Sequence, residues 1–176
     1  MPGESVLNLP NQAHEDPLTA NQTSQSIELL TFLFNEVIFA LDILKVEEIH
    51  GYENHYPIVG STNTIKQSIT VRGNKIHMID LSVKFGFPAN SASDPKNLII
   101  LNAHERQFGI AADGVTEVIT TNKSLISMPS QYDHALSGLA FTSGLIKVDE
   151  NILVVLDLEK LITRDDLICS DGLRDE

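Results

Sequence analysis

The chain carries one cysteine, no tryptophan and half as many basic as acidic residues. A lone Cys169 excludes an internal disulfide and has no CxxC partner, which fits a reducing compartment. With 12 Lys and Arg against 24 Asp and Glu, the formal charge is −12. Such a field repels phosphate backbones and anionic lipid, so neither nucleic acid nor a membrane surface is expected as a partner. No apolar run is long enough to span a bilayer, and the first residues lack the basic and apolar regions of a signal peptide. The expected location is cytoplasmic, without direct membrane insertion.

Catalytic signatures are missing as well. There is no GxSxG elbow, no P-loop and no GxGxxG. Six histidines invite a metal reading, yet none belongs to an HExxH, and His50 and His55 lie five apart. Scattered surface or packed histidines account for them better. Asp42, Asp80 and Asp157 each follow an apolar residue near the end of a strand, where a carboxylate most often caps a turn or helix. The residues therefore give no metal, cofactor or enzyme.

What is present is strand pattern. A length of 176 residues suits one domain, with room for two lobes and a proper core. Residues 1–26 are rich in Asn, Gln, Ser, Thr and Pro and have no periodic apolar face, so they are read as a disordered tail. The spacing then predicts strands at Ile27–Phe34, Val37–Asp42, Ser68–Val71, Lys75–Leu81, Asn97–Ala103, Gln107–Ala112, Val115–Thr120, Phe141–Val148 and Asn151–Leu156. Turn signals separate them at Asn35-Glu36, Arg72-Gly73, His104-Glu105, Asp113-Gly114 and Asp149-Glu150. Short helices are expected at Ile43–Ile49, Thr64–Lys66 and Leu158–Ile168, the last capped by Asp157. The Pro- and Ser-bearing stretch Gly86–Lys96 reads as a loop between two halves. Short strands on tight turns favour a barrel or sandwich over βαβ units.

Several motifs, in order, resemble the CheW family, the adaptor proteins of bacterial chemosensory arrays. They are Phe39-Ala40-Leu41-Asp42-Ile43, Val46-Glu47-Glu48-Ile49 with Gly51-Tyr52, Val71-Arg72-Gly73, Ile79-Asp80-Leu81, Gly109-Ile110 with Asp113-Gly114-Val115, Gly144-Leu145-Ile146, and Val154-Val155-Leu156-Asp157-Leu158-Glu159-Lys160-Leu161. The resemblance covers nearly everything from Ile27 to Ile168 and implies a domain over residues 27–168, with a C-terminal tail over 169–176. The implied fold is mainly β: two small five-stranded SH3-like barrels packed on a shared apolar seam, with short helices. The implied function is a non-catalytic adaptor. It would join the cytoplasmic tip of methyl-accepting chemoreceptors to the regulatory domain of a CheA-type histidine kinase, in arrays at the membrane.

By the same resemblance, Val46, Glu48, Ile49 and Tyr132 would face the kinase, and Arg72, Gly109 and Val118 would serve receptor coupling. From the residues alone, Val46, Ile49 and Val118 read equally as core and Glu48 as a solvated charge. Arg72 reads as a turn residue before Gly73, Gly109 as a site of close backbone approach, and Tyr132 as half-buried packing. The chain departs from the family pattern at Gln67, Thr70, His77 and His50, which leaves room for changed partners. Two other readings remain open at this point: an adaptor for pili or development, and a sensory barrel whose seam admits a small molecule.

Overall fold

The computed structural model describes residues 25–52, 55–57, 65–88, 95–128 and 137–172. In chain order the strands are β1 (Ser26–Phe34), β2 (Val37–Asp42), β3 (Val46–Gly51), β4 (His55–Pro57), β5 (Ile65–Val71) and β6 (Asn74–Ile79). After helix α1 (Leu81–Phe85) come β7 (Asn97–Ala103), β8 (Arg106–Ala112), β9 (Gly114–Asn122), β10 (Thr142–Val148) and β11 (Asn151–Leu156). Helices α2 (Leu158–Leu161) and α3 (Arg164–Gly172) follow, and 3-10 turns lie at Ile43–Lys45, Lys123–Leu125 and Ser137–Phe141.

Two-residue turns fix the register of four hairpins, since Phe34 pairs with Val37, Val71 with Asn74, Ala103 with Arg106 and Val148 with Asn151. In the first three, both turn residues have positive φ: Asn35 and Glu36, Arg72 and Gly73, His104 and Glu105. That geometry matches the right-handed twist of the flanking strands. The three predicted aspartate caps all form. Asp42 accepts from the amide of Leu44 at 3.0 Å, Asp80 from Val83 at 3.3 Å, and Asp157 from Glu159 at 3.1 Å. Each cap turns a strand end into a short helical turn.

The hairpins are exchanged between the lobes. The five-stranded sheet runs β10-β11-β2-β1-β9, and the six-stranded sheet runs β3-β7-β8-β6-β5-β4. The early hairpin β1–β2 therefore lies among late strands, and the late hairpin β7–β8 lies among early ones. Both insertions are completed by a parallel pair, β2 with β11 and β6 with β8. The lobes are thus not successive stretches of sequence, and the Gly86–Lys96 segment joins two strands of one sheet instead of two halves.

Both faces of the central strands are buried, as their near-continuous apolar runs require. One face fills the interior of each lobe: Leu29, Ala40, Ile146, Leu153 and Val155 in the first, and Ile69, Ile76, Met78, Leu98 and Ile100 in the second. The other faces meet in a larger seam that joins the lobes. All seven phenylalanines of the chain lie in or against that seam. Phe39 on β2 meets Phe85 of α1 edge-on at 5.0 Å between centroids and stacks on Phe32 at 5.6 Å. Each such contact adds about 0.5–1.5 kcal/mol beyond the area buried.

Other elements differ from expectation. The helix predicted for Ile43–Ile49 stops at Lys45, and Val46–Gly51 is strand β3, because pairing with β7 satisfies backbone groups that one short turn cannot. Thr64 lies outside the described residues, and Ile65 and Lys66 belong to β5 instead of a helix. Leu81 opens α1 instead of closing a strand, because the Asp80 cap precedes it. The helix predicted for Leu158–Ile168 breaks at Ile162, which is extended and buried. It restarts at Arg164, after Thr163, whose N–H donates to the Asp166 carboxylate at 2.8 Å, and runs through Gly172. The short β4 gives the second sheet its sixth strand.

A shared seam predicts one cooperative transition for both lobes in urea, read by circular dichroism. Phe39→Ala, at a site 1% exposed, is expected to cost about 3–5 kcal/mol of that stability.

Candidate interaction surface

Among the described residues β3 is an edge strand, paired with β7, and its side chains alternate between half-buried and exposed. Val46 packs against the seam. Glu47 is exposed and accepts from Asn102 at 2.7 Å and from Gln107, which ties β3 to the β7–β8 hairpin. Glu48 is half-buried and takes two partners. Arg72 Nη1 donates to its Oε1 at 2.9 Å, and His50 Nε2 lies 2.6 Å from its Oε2. Ile49, 43% exposed, lies on the opposite face of β3 from this cluster, on the side of Glu47. Among the described residues this edge thus presents an exposed apolar side chain on one face and a fixed charge pair on the other.

Arg72 sits at the tip of the β5–β6 hairpin with φ of 50°, and its side chain is 74% exposed. An ion pair this exposed contributes at most about 1 kcal/mol. Its effect is to hold the guanidinium over β3 with other N–H groups still available to a carboxylate from outside.

The structure joins residues that the sequence reading kept apart. Glu48 and Arg72, assigned to separate surfaces, form one ion pair. Gly109 lies on β8 of the six-stranded sheet and Arg72 in that sheet's β5–β6 turn, while Val118 lies on β9 of the other sheet. Gly109 is buried, and a Cβ there would overlap the sulfur of Met78 and reach Leu98 Cδ1 at 3.0 Å. It allows close packing and offers no contact of its own. Val118 is 49% exposed on the edge strand β9. Tyr132 lies outside the described residues. Of the departures, Thr70 is exposed and His77 buried; Gln67 belongs to β5.

Sequence reasoning missed the correspondence between the two edges. β3 borders the hairpin β7–β8 as β9 borders β1–β2, and each edge carries a register shift. Ile49 pairs with Ile99, and Val118 pairs with Leu30. Both place an exposed aliphatic side chain on an edge strand, one per lobe. The signal is absent from local sequence because it arises only from the hairpin exchange.

Among the described residues no group of three or more His, Cys, Asp or Glu is arranged to hold a metal ion. Among them also, no helix is long and apolar enough to cross a membrane. The seam, where a small-molecule reading would need space, is packed by phenylalanine. A pocket of about 400 Å³ opens elsewhere, on the five-stranded lobe, with Ile27, Leu29 and Val155 in its lining and Lys45, Lys123 and Glu159 among its charged residues.

Two lobes with exchanged hairpins and a packed seam define a CheW-like domain. The family model described as the CheW-like domain matches residues 28–166, and the chain belongs to that family. It is 31% identical over 146 residues to the chemotaxis protein CheW of Klebsiella aerogenes, covering 83% of this chain and 87% of that one. With the chemotaxis protein CheW of Treponema pallidum it is 26% identical over 155 residues, covering 86% and 89%. The crystal structure of the scaffolding protein TtCheW from Thermoanaerobacter tengcongensis has the same fold, with a TM-score of 0.71 at 24% identity over 83% of this chain and 94% of that one.

Tyr52, just past β3, titrates above its ordinary value of 10.0, first because burial disfavours the phenolate and second because the Asp80 carboxylate repels it. Folding therefore favours the protonated phenol. Its contribution to stability is present below pH 10.0 and is lost as pH rises through the higher folded value. Ultraviolet titration of the folded chain is expected to show a late phenolate component that Tyr52→Phe removes. In urea, Arg72→Ala is expected to cost less than about 1 kcal/mol.

Proposed function

We propose that this chain is a non-catalytic adaptor that couples chemoreceptors to a CheA-type histidine kinase. The observation that carries the reading is the β3 edge, which carries exposed Ile49 on one face and the Glu48–Arg72 pair on the other. Val46 supports this edge from the seam side. Membership of the CheW-like family and the names of its relatives, chemotaxis and scaffolding proteins, support the same reading. A surface of this kind binds without chemistry. An open strand edge supplies backbone hydrogen bonds, an apolar anchor supplies desolvation, and a charge pair sets register.

The β3 and β9 edges, one on each sheet, suit a bridge between two partners. In this reading β3, with Val46, Glu48 and Ile49, faces the regulatory domain of the kinase, and Tyr132 belongs to a second kinase contact. Val118 on β9 faces the receptor tip. Arg72 connects the two roles, being held by the kinase-facing Glu48, and Gly109 acts by setting the packing beneath. The protein would then work in the cytoplasm at membrane-associated receptor arrays. Weak single contacts suffice, because many copies in an array multiply the effective concentration of each partner.

A pull-down of the purified chain with the regulatory domain of a CheA-type kinase from the same cell tests the reading. The parent is expected to bind. Arg72→Ala and Glu48→Lys are expected to weaken binding by about tenfold or more while remaining folded. A folded parent that does not bind, or variants that bind as the parent does, would contradict it.

A further inference from the structure

Helix α3 follows the five-stranded lobe in sequence but is held by the six-stranded one. Lys84, on α1 directly after β6, donates to Asp166 Oδ2 at 2.7 Å, and the two side chains are 3% and 0% exposed. The same oxygen of Asp166 accepts from Thr163 N–H and Thr163 Oγ1, both at 2.8 Å. The Lys84 ammonium also lies 5.2 Å from the centroid of the Phe141 ring, over its face. A second tie comes from β8, where Arg106 Nη1 donates to the carbonyl of Leu167 at 3.1 Å. Between these ties Leu167 packs against the seam.

A buried ion pair adds little net stability over a well-packed apolar pair, and its better-attested use is to fix one arrangement among several. From this geometry we propose that α3 is a strap across the lobe junction, and that Lys84 and Asp166 are positioning residues. By locking α3 they hold the two lobes, and so the edges β3 and β9, in one relative orientation. The pair touches no proposed partner surface and acts only through the helix it pins. This part rests on the adaptor reading: a bridge transmits a change from one partner to the other only if its two faces do not swivel independently.

The strap itself is tested without partners, by amide hydrogen exchange on the full chain. In the parent, the α3 amides beyond its first turn are expected to match the protection of β1 and β8, opening only with the whole domain. Independent fraying of α3 at far lower protection would overturn the proposal. The variant Lys84→Met with Asp166→Leu removes both charges while keeping apolar bulk, and there α3 is expected to exchange about tenfold faster with β1 and β8 little changed.

In a reconstituted mixture of receptor tip, kinase and chain, this variant is expected to bind each partner singly as the parent does, yet to lose most of the kinase activation. Unchanged α3 protection together with unchanged activation would overturn the proposal. A parent that binds neither partner would sink the adaptor reading while leaving the exchange result to decide on the strap. If the double variant does not fold, the parent's exchange pattern still decides.

Discussion

The aromatic seam between the lobes is the contact on which the rest of the structure depends. Each barrel interior described here is small, with five fully buried apolar residues apiece, too few for an independent domain. The seam supplies the larger buried surface, and the exchange of hairpins β1–β2 and β7–β8 means that neither lobe can be assembled from one half of the chain. Phe32 and Phe39 enter it from one sheet and Phe108 from the other, with Phe85 of α1 between the lobes. Stability and topology therefore have one origin.

The same constraint produces the surface. The exchanged hairpins bring one end strand of each sheet against them, β3 beside β7–β8 and β9 beside β1–β2, while β10 and β4 end the sheets on the other side. Open edges invite uncontrolled pairing. On β3 the hazard is limited by charge: Glu47 and Glu48 occupy successive positions, each held by polar partners from neighbouring hairpins. An edge guarded in this way admits a partner that brings complementary charge and rejects a generic strand, which suits selective docking in a crowded array.

How much of this was legible in the sequence depended on the range of the interaction. The hairpins were legible because Asn35-Glu36, Arg72-Gly73 and His104-Glu105 interrupt alternating apolar runs, and the three aspartate caps because each follows a strand's last apolar residue. The segment Val46–Ile49 was misread as helix, since its apolar spacing suits either state and only β7, some fifty residues on, decides between them. The break at Ile162 is signalled by Thr163-Arg164-Asp165-Asp166, a capping-box pattern with aspartate in place of glutamate, set within an apolar spacing that otherwise reads as one helix. The exchange of hairpins was invisible for a different reason. Nothing in a strand's own residues states which sheet it joins, so the local pattern suggests lobes in chain order. The Glu48–Arg72 pair was hidden likewise: both residues stood out by family resemblance, but their contact needs the β5–β6 hairpin to fold back over β3.

The most direct test of the central claim is to map the bound surface residue by residue. Backbone NMR shifts of the isotopically labelled chain, titrated with the regulatory domain of a CheA-type kinase, would do this. Shift changes are expected to concentrate at Val46–Gly51 and around Arg72-Gly73, with the seam strands unaffected. Changes concentrated instead around the pocket lined by Lys45 and Lys123, or none at all in a folded chain, would contradict it.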